Sequence, residues 1–266
     1  MIAGLPMYDF AWTASAQDAF WQALSTRLRD AGLAAPLSLS RDRPAQDIWR
    51  DPALIFGQTC GYPYWRVLRD RVALIATPTY GFEGCEGARH CSFLIVRRGE
   101  TDQGLAGFRG ARAAINARNS NTGMNLFRTV VAPLADGRAF FSDVVVTGAH
   151  ALSLAAVAEG TADIAAIDCV SFALLRRGRA ELVERVEVLQ RTPSAPSLPF
   201  IASATLAREA LATIRRCLFE TLDDARLAED FAALGLTGAD VLAPQAYQRT
   251  SELEDAAVAL VYPELA

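Results

Sequence analysis

Short apolar runs and helix-periodic segments alternate along almost the whole chain. IAGLPMY (2–8) predicts a strand that leads into a loop. AQDAFWQALSTRLRDAG (16–32) carries its apolar residues at helical spacing and ends on Gly, a residue suited to a left-handed C-cap. Further strands are expected in ALIFGQ (53–58), RVALIAT (71–77), SFLIVRR (92–98), ARAAINA (111–117), SDVVVTG (142–148), ADIAAID (162–168) and VERVEVLQRT (183–192). Helical spacing falls between them, at 62–70, 122–135, 149–160 and 169–179. This alternation predicts α/β lobes with largely parallel sheets. Beyond LPFIAS (198–203) the pattern turns helical through LAREALATIRRCLFETL and ARLAEDFAALG, towards a tail ending VYPELA.

Two stretches interrupt the alternation. ATPTYGFEGCEGARH (76–90) and QRTPSAPSLPF (190–200) are rich in Pro, Gly, Ser and Thr. Proline fixes φ and withholds a backbone donor, so TPSAPSLP reads as an extended connection. Two such segments suit a chain that crosses to a second lobe and returns; the alternative is two surface loops of one domain.

Composition narrows the function classes. The 266 residues are 52% hydrophobic, enough for a sizeable core. The net charge is −4 and every basic residue is Arg. With a pI near 5.3, a surface that holds nucleic-acid phosphates is not expected. No apolar run approaches the roughly 18 residues of a membrane span, and MIAGLPMYDF lacks the basic and apolar regions of a secretory signal. The five cysteines show no CxxC pair, and only His90 and His150 join them, so neither a metal site nor a cofactor is expected.

Two stretches carry chemistry. NSNTGMN (119–125) follows a predicted strand and opens a predicted helix. A helix start presents unpaired N–H groups and partial positive charge. Ser120, Asn121 or Thr122 can cap it, and capping needs only one of them. Clustered hydroxyls and amides, with Gly123 permitting close approach to the backbone, also make a cradle for an oxyanion without any Lys. VTGAHALSLAAVAEGTADIAAIDCVSF (146–172) places His150 in the first turn of a helix and Asp168 at the carboxyl end of a strand. In an open α/β sheet that end faces the ligand crevice; the simpler role for Asp168 is to cap the next helix.

Taken in order, GQTCGYPY, ATPTYGFEGCEG, SFLIVRRG, NSNTGMN, TGAHALSLAAVAEGTADIAAID and RTPSAPSLPF resemble the PhnD-like family. These are solute-binding proteins of phosphate, phosphite and phosphonate ABC transporters, and the resemblance spans roughly residues 50–203. It implies a type II periplasmic-binding fold: two α/β lobes joined by two hinge segments, with a ligand cleft between them. Lobe 1 is then expected to hold 1–80 and 196–266, and lobe 2 to hold 81–195. The resemblance places an oxyanion at Ser120, Asn121, Thr122, Gly123 and Met124, with His150 facing it and Tyr80 lining the cleft. It sets Asp168 where a ligand's amino group or polar tail would be met, and adds Tyr8, Gln58 and Thr59 as lobe 1 contacts. It also brings Cys60 and Cys85 to loops that such a fold can juxtapose, as a disulfide or as two reduced thiols.

The implied function is capture of a small oxyanion-containing ligand for an ABC permease, without catalysis or cofactor. Two departures stand out: the loop reads Asn-Ser-Asn-Thr-Gly where the family favours Ser-Thr-Ser-Gly, and the family's leader is missing. Residence is therefore expected to be periplasmic if a leader was removed, with the cytoplasm as the alternative. The competing readings are a signal-less enzyme of menaquinone or thiamine-pyrimidine biosynthesis type, with His150 or Asp168 as base, and a regulatory effector domain of LysR type.

Overall fold

The computed structural model describes residues 1–266. Its contacts divide the chain into two compact units. Unit 1 comprises Met1–Gly81, Glu86–Ala88 and Pro196–Tyr247; unit 2 comprises Phe82–Cys85, Arg89–Ala195 and Gln248–Ala266.

Unit 1 is built on a five-stranded sheet in the order Ile2–Gly4, Leu54–Gln58, Phe200–Ser203, Val72–Tyr80, Leu236–Asp240. Leu54–Gln58 is buried along its whole length, as expected of a central strand covered on both faces. The helices Ala14–Asp30, Arg208–Leu222 and Ala228–Leu234 pack together beside it. Phe20 and Trp21 of the first helix, Phe56 and Phe200 of the sheet, and Phe231 form one aromatic cluster. Burial of such a side chain contributes about 1.5–3 kcal/mol, which explains why the apolar face of 16–32 fixes this helix against the sheet. A second cluster contains Ile48, Trp49, Leu54, Tyr64 and Tyr247.

Unit 2 carries a second five-stranded sheet, in the order Val186–Arg191, Ser92–Arg97, Ile164–Asp168, Arg112–Ile115, Asp143–Val146. Its core joins Leu94, Phe108, Phe127, Val131 and Phe140 with Ala257 and Tyr262 of the C-terminal segment.

The expectation of largely parallel sheets is corrected. In unit 1 only the Ile2–Gly4/Leu54–Gln58 pair is parallel; the other pairings are antiparallel. In unit 2 Arg112–Ile115 runs parallel to both neighbours, while Ser92–Arg97 runs antiparallel to both of its own. Buried strands show the same apolar run whichever way they point, so periodicity does not report direction.

The expected placement of the C-terminal tail in lobe 1 is also corrected. Helix Arg249–Ala259 packs on helix Leu126–Ala135 in unit 2, with Leu253 against Leu126. The Asn125 side-chain Nδ2 donates to the Thr250 carbonyl at 2.8 Å, and the Ala266 carbonyl accepts from the Phe140 and Phe141 backbone amides.

The Cys60–Cys85 disulfide is not present: all five cysteines are free thiols. Cys60 belongs to unit 1, whereas the sulfur beside Cys85 is that of Cys169, 3.5 Å away in unit 2.

Candidate functional site

In unit 2 the strand Arg112–Ile115 runs into Asn116, and the chain then turns at Ser120. Ser120 is extended, and its hydroxyl accepts from the Gly123 amide at 3.0 Å, so it is the helix cap. Asn121–Asn125 form a π-helical turn before the α-helix Leu126–Ala135, closed by the Asn125 amide donating to the Ser120 carbonyl at 3.0 Å. Wide turns of this type widen the helix mouth and recur at functional sites.

The Asn content of this loop has a structural account. Asn125 donates to the Asn121 side-chain oxygen at 3.0 Å, and its own oxygen accepts from Arg128 at 2.7 Å. Arg128 is buried and paired with Glu254 at 3.6 Å. Asn121 and Asn125 thus lock the wide turn to the helix and to the C-terminal segment beneath it. Asn116 does something different: its side-chain oxygen lies 1.9 Å from where a Cβ on residue 123 would sit, with His150 Cε1 3.2 Å from the same point. A side chain at 123 would therefore displace Asn116.

His150 opens the helix His150–Glu159. Gly148, at φ +94°, makes the left-handed turn that brings the strand Asp143–Val146 into that helix. His150 Nε2 meets the Thr122 hydroxyl at 3.0 Å, and burial holds its pKa below the ordinary value, partly offset by Asp168. The Thr122 carbonyl accepts from Ser92 Oγ at 2.8 Å. Ser120, Thr122, Gly123, Met124 and His150 are thus brought together in one unit, with hydroxyls, an imidazole and first-turn amides as the donor set.

Asp168 is placed otherwise than expected of a ligand contact. It is 1% exposed, one carboxylate oxygen caps the helix Cys169–Gly178 by accepting from the Ser171 amide at 2.8 Å, and the other lies 3.1 Å from His90 Nδ1. Burial pushes its pKa up, but the His90 ring, with His150 and the Ser171 amide, outweighs that and holds the carboxyl below its ordinary range. Both histidines of the chain therefore act on one buried carboxylate.

In unit 1, Gln58 at the end of its strand donates to the Tyr80 hydroxyl at 3.1 Å and to the Leu198 carbonyl at 3.2 Å. Tyr80 meets Tyr8 edge to face at 5.6 Å. With Gln17, Phe20 and Leu236 these three line a cavity of about 30 Å³. Thr59 is fully buried, its amide bonded to the Pro199 carbonyl, and does not line that cavity. No group of His, Cys, Asp or Glu side chains is arranged to hold a metal ion.

Sequence reasoning missed His90, Ser92, Asn116 and Gln17. Gln17 had a signal: it is a polar residue on the buried stripe of the Ala14–Asp30 helix. His90 had none, since its partner lies far along the chain.

Residues 55–247 match the model of a phosphonate-binding family described as ABC transporter, phosphonate, periplasmic substrate-binding protein. The chain belongs to this family. Members are transporter substrate-binding proteins, and the type II periplasmic-binding fold of its structural relatives agrees with the two α/β units. A binding-protein component of an ABC phosphonate transporter from Pseudomonas aeruginosa superposes with a TM-score of 0.78 at 15% identity, over 98% of this chain and 87% of that one. PhnD1 from Prochlorococcus marinus, solved with methylphosphonate, gives 0.73 at 12% identity, over 96% and 97%. A Xanthomonas citri protein bound to a chloride ion gives 0.74 at 16%, over 98% of both chains. At these identities the likeness concerns the fold. No curated protein matches the chain, and no helix is long and apolar enough to cross a membrane.

Proposed function

We propose that this protein captures a small oxyanion of the phosphate, phosphite or phosphonate class by closure of two lobes and presents it to an ABC permease. The observation that carries this reading is the Ser120-capped wide turn whose Thr122 hydroxyl is aligned by His150 at 3.0 Å, in a member of the phosphonate-binding family. The oxyanion sits at Ser120–Met124, met by hydroxyl and amide donors and by a neutral His150. No Lys or Arg is needed, because a helix start supplies partial positive charge and oriented donors.

The organic end of the ligand is received by Tyr8, Gln58 and Tyr80. Methylphosphonate, the ligand found with PhnD1 of Prochlorococcus marinus, is the simplest candidate of this class. Asp168 acts by holding His90 and the Cys169–Gly178 helix in place, and Thr59 by fixing the end of its strand. No observation favours the enzymatic reading, whose candidate bases are His150 and Asp168.

Calorimetric titration with phosphate, phosphite, methylphosphonate and methanesulfonate tests the proposal. Saturable binding of a phosphorus oxyanion, with that ligand recovered unchanged, is expected. Binding of none of them, or steady turnover of a bound one, would overturn it.

A further inference from the structure

Three of the five thiols gather at one point of unit 2. Cys85 Sγ lies 3.5 Å from Cys169 Sγ, and the Cys169 amide donates to the Cys91 carbonyl at 3.1 Å. Gly84 makes the approach possible: it turns at φ +89°, and a Cβ there would come within 2.9 Å of both Cys91 Sγ and Cys169 Cβ. Cys91 and Cys169 are buried, while Cys85 is partly exposed. The other two thiols, Cys60 and Cys217, belong to unit 1.

We propose that Cys85 and Cys169 are a modification site that takes up an intramolecular disulfide from a low-molecular-weight disulfide such as oxidised glutathione. A bonded pair needs its sulfurs at about 2.05 Å, so oxidation draws together two sulfurs that now lie 3.5 Å apart. Cys85, the more accessible of the pair, reacts first: its thiolate attacks one glutathione sulfur, the glutathione S–S bond breaks, and one glutathione thiol leaves. The Cys169 thiolate then attacks the Cys85 sulfur of the mixed disulfide and expels the second glutathione thiol. Two protein thiols are oxidised, and the two electrons and two protons end on the two released glutathione thiols. The Cys85 sulfur and burial hold the Cys169 thiol protonated, so the second step is the slower one. Oxidation ties residues 82–85, where the chain enters unit 2, to the helix capped by Asp168.

The test uses the whole reduced protein, treated with oxidised glutathione, quenched in acid, digested and mapped by mass spectrometry. Expected are a mass lower by two hydrogens, a single Cys85–Cys169 linkage, a higher melting temperature and reversal by dithiothreitol. Cys85→Ser should abolish the linkage and Cys91→Ser should leave it. Cys85→Ser carries the test even if Cys169→Ser fails to fold, because Cys85 is partly exposed. A Cys91–Cys169 linkage, a glutathione adduct that does not resolve, or no reaction would each overturn the proposal.

Discussion

Replacing His90 by Phe isolates the energetics of the buried pair behind the candidate site. His90 and Asp168 are each about 1% exposed and lie 3.1 Å apart. Phe keeps a planar ring but is larger than His, so a pH-independent overpacking cost of about 1–3 kcal/mol accompanies the effect on the carboxylate. Removing one partner of a buried pair costs about 3–5 kcal/mol, which for a chain of this size lowers the melting temperature by about 10 °C. The pH dependence makes the prediction specific. In the wild type the Asp168 carboxyl is held below its ordinary value of 3.8, so its contribution is present above that value and is lost as pH falls through the lower, folded pKa. In H90F the largest groups opposing burial are gone, and the folded pKa moves up from its wild-type position. The deficit relative to wild type should then be largest near neutral pH and shrink on acidification, by at most about 1.4 kcal/mol per pH unit. Asp168→Asn in the H90F background should recover part of the loss at neutral pH. Thermal unfolding followed by circular dichroism at several pH values measures this. A deficit that does not change with pH would show that His90 does not control the Asp168 carboxylate.

Other residues of the site make separate predictions. Gly123→Ala puts a methyl 1.9 Å from the Asn116 oxygen, so Asn116 must swing away; we expect a stability cost of only about 1–2 kcal/mol, since Ala is the better helix former, but at least about a tenfold loss of oxyanion affinity by calorimetry. Thr122→Val keeps the shape and leaves His150 Nε2 without its 3.0 Å partner; binding should weaken by about 1–3 kcal/mol, and an unchanged Kd would exclude the hydroxyl from the site. Because burial depresses the His150 pKa from 6.5, its contribution is present above that value and lost as pH falls below it. Denaturation of His150→Asn should accordingly show a flatter dependence below that pH than the wild type.

The ordered motifs from GQTCGYPY to RTPSAPSLPF carried the family, because each marks a loop or strand end whose geometry needs particular residues. NSNTGMN was legible as a helix start for the same reason: Ser, Thr, Asn and Gly are residues that favour such a turn. What escaped was pairing at a distance. Asp168 reads equally as a cap or a ligand contact until His90, 3.1 Å from it in space, is seen to claim its second oxygen. The helix Arg249–Ala259 has a weak apolar stripe, and nothing local shows that Leu253 belongs against Leu126 in unit 2. Strand direction escaped too, since burial writes the same apolar run in either sense.

Oxyanion capture rests on Ser120–Met124 and His150. Amide chemical shifts followed by NMR during titration with methylphosphonate test it most directly. Saturable shifts are expected to concentrate at Ser120–Met124 and at His150, with smaller ones at Tyr8, Gln58 and Tyr80. Saturable shifts that leave Ser120–Met124 untouched, or no shifts with any phosphorus oxyanion, would contradict it.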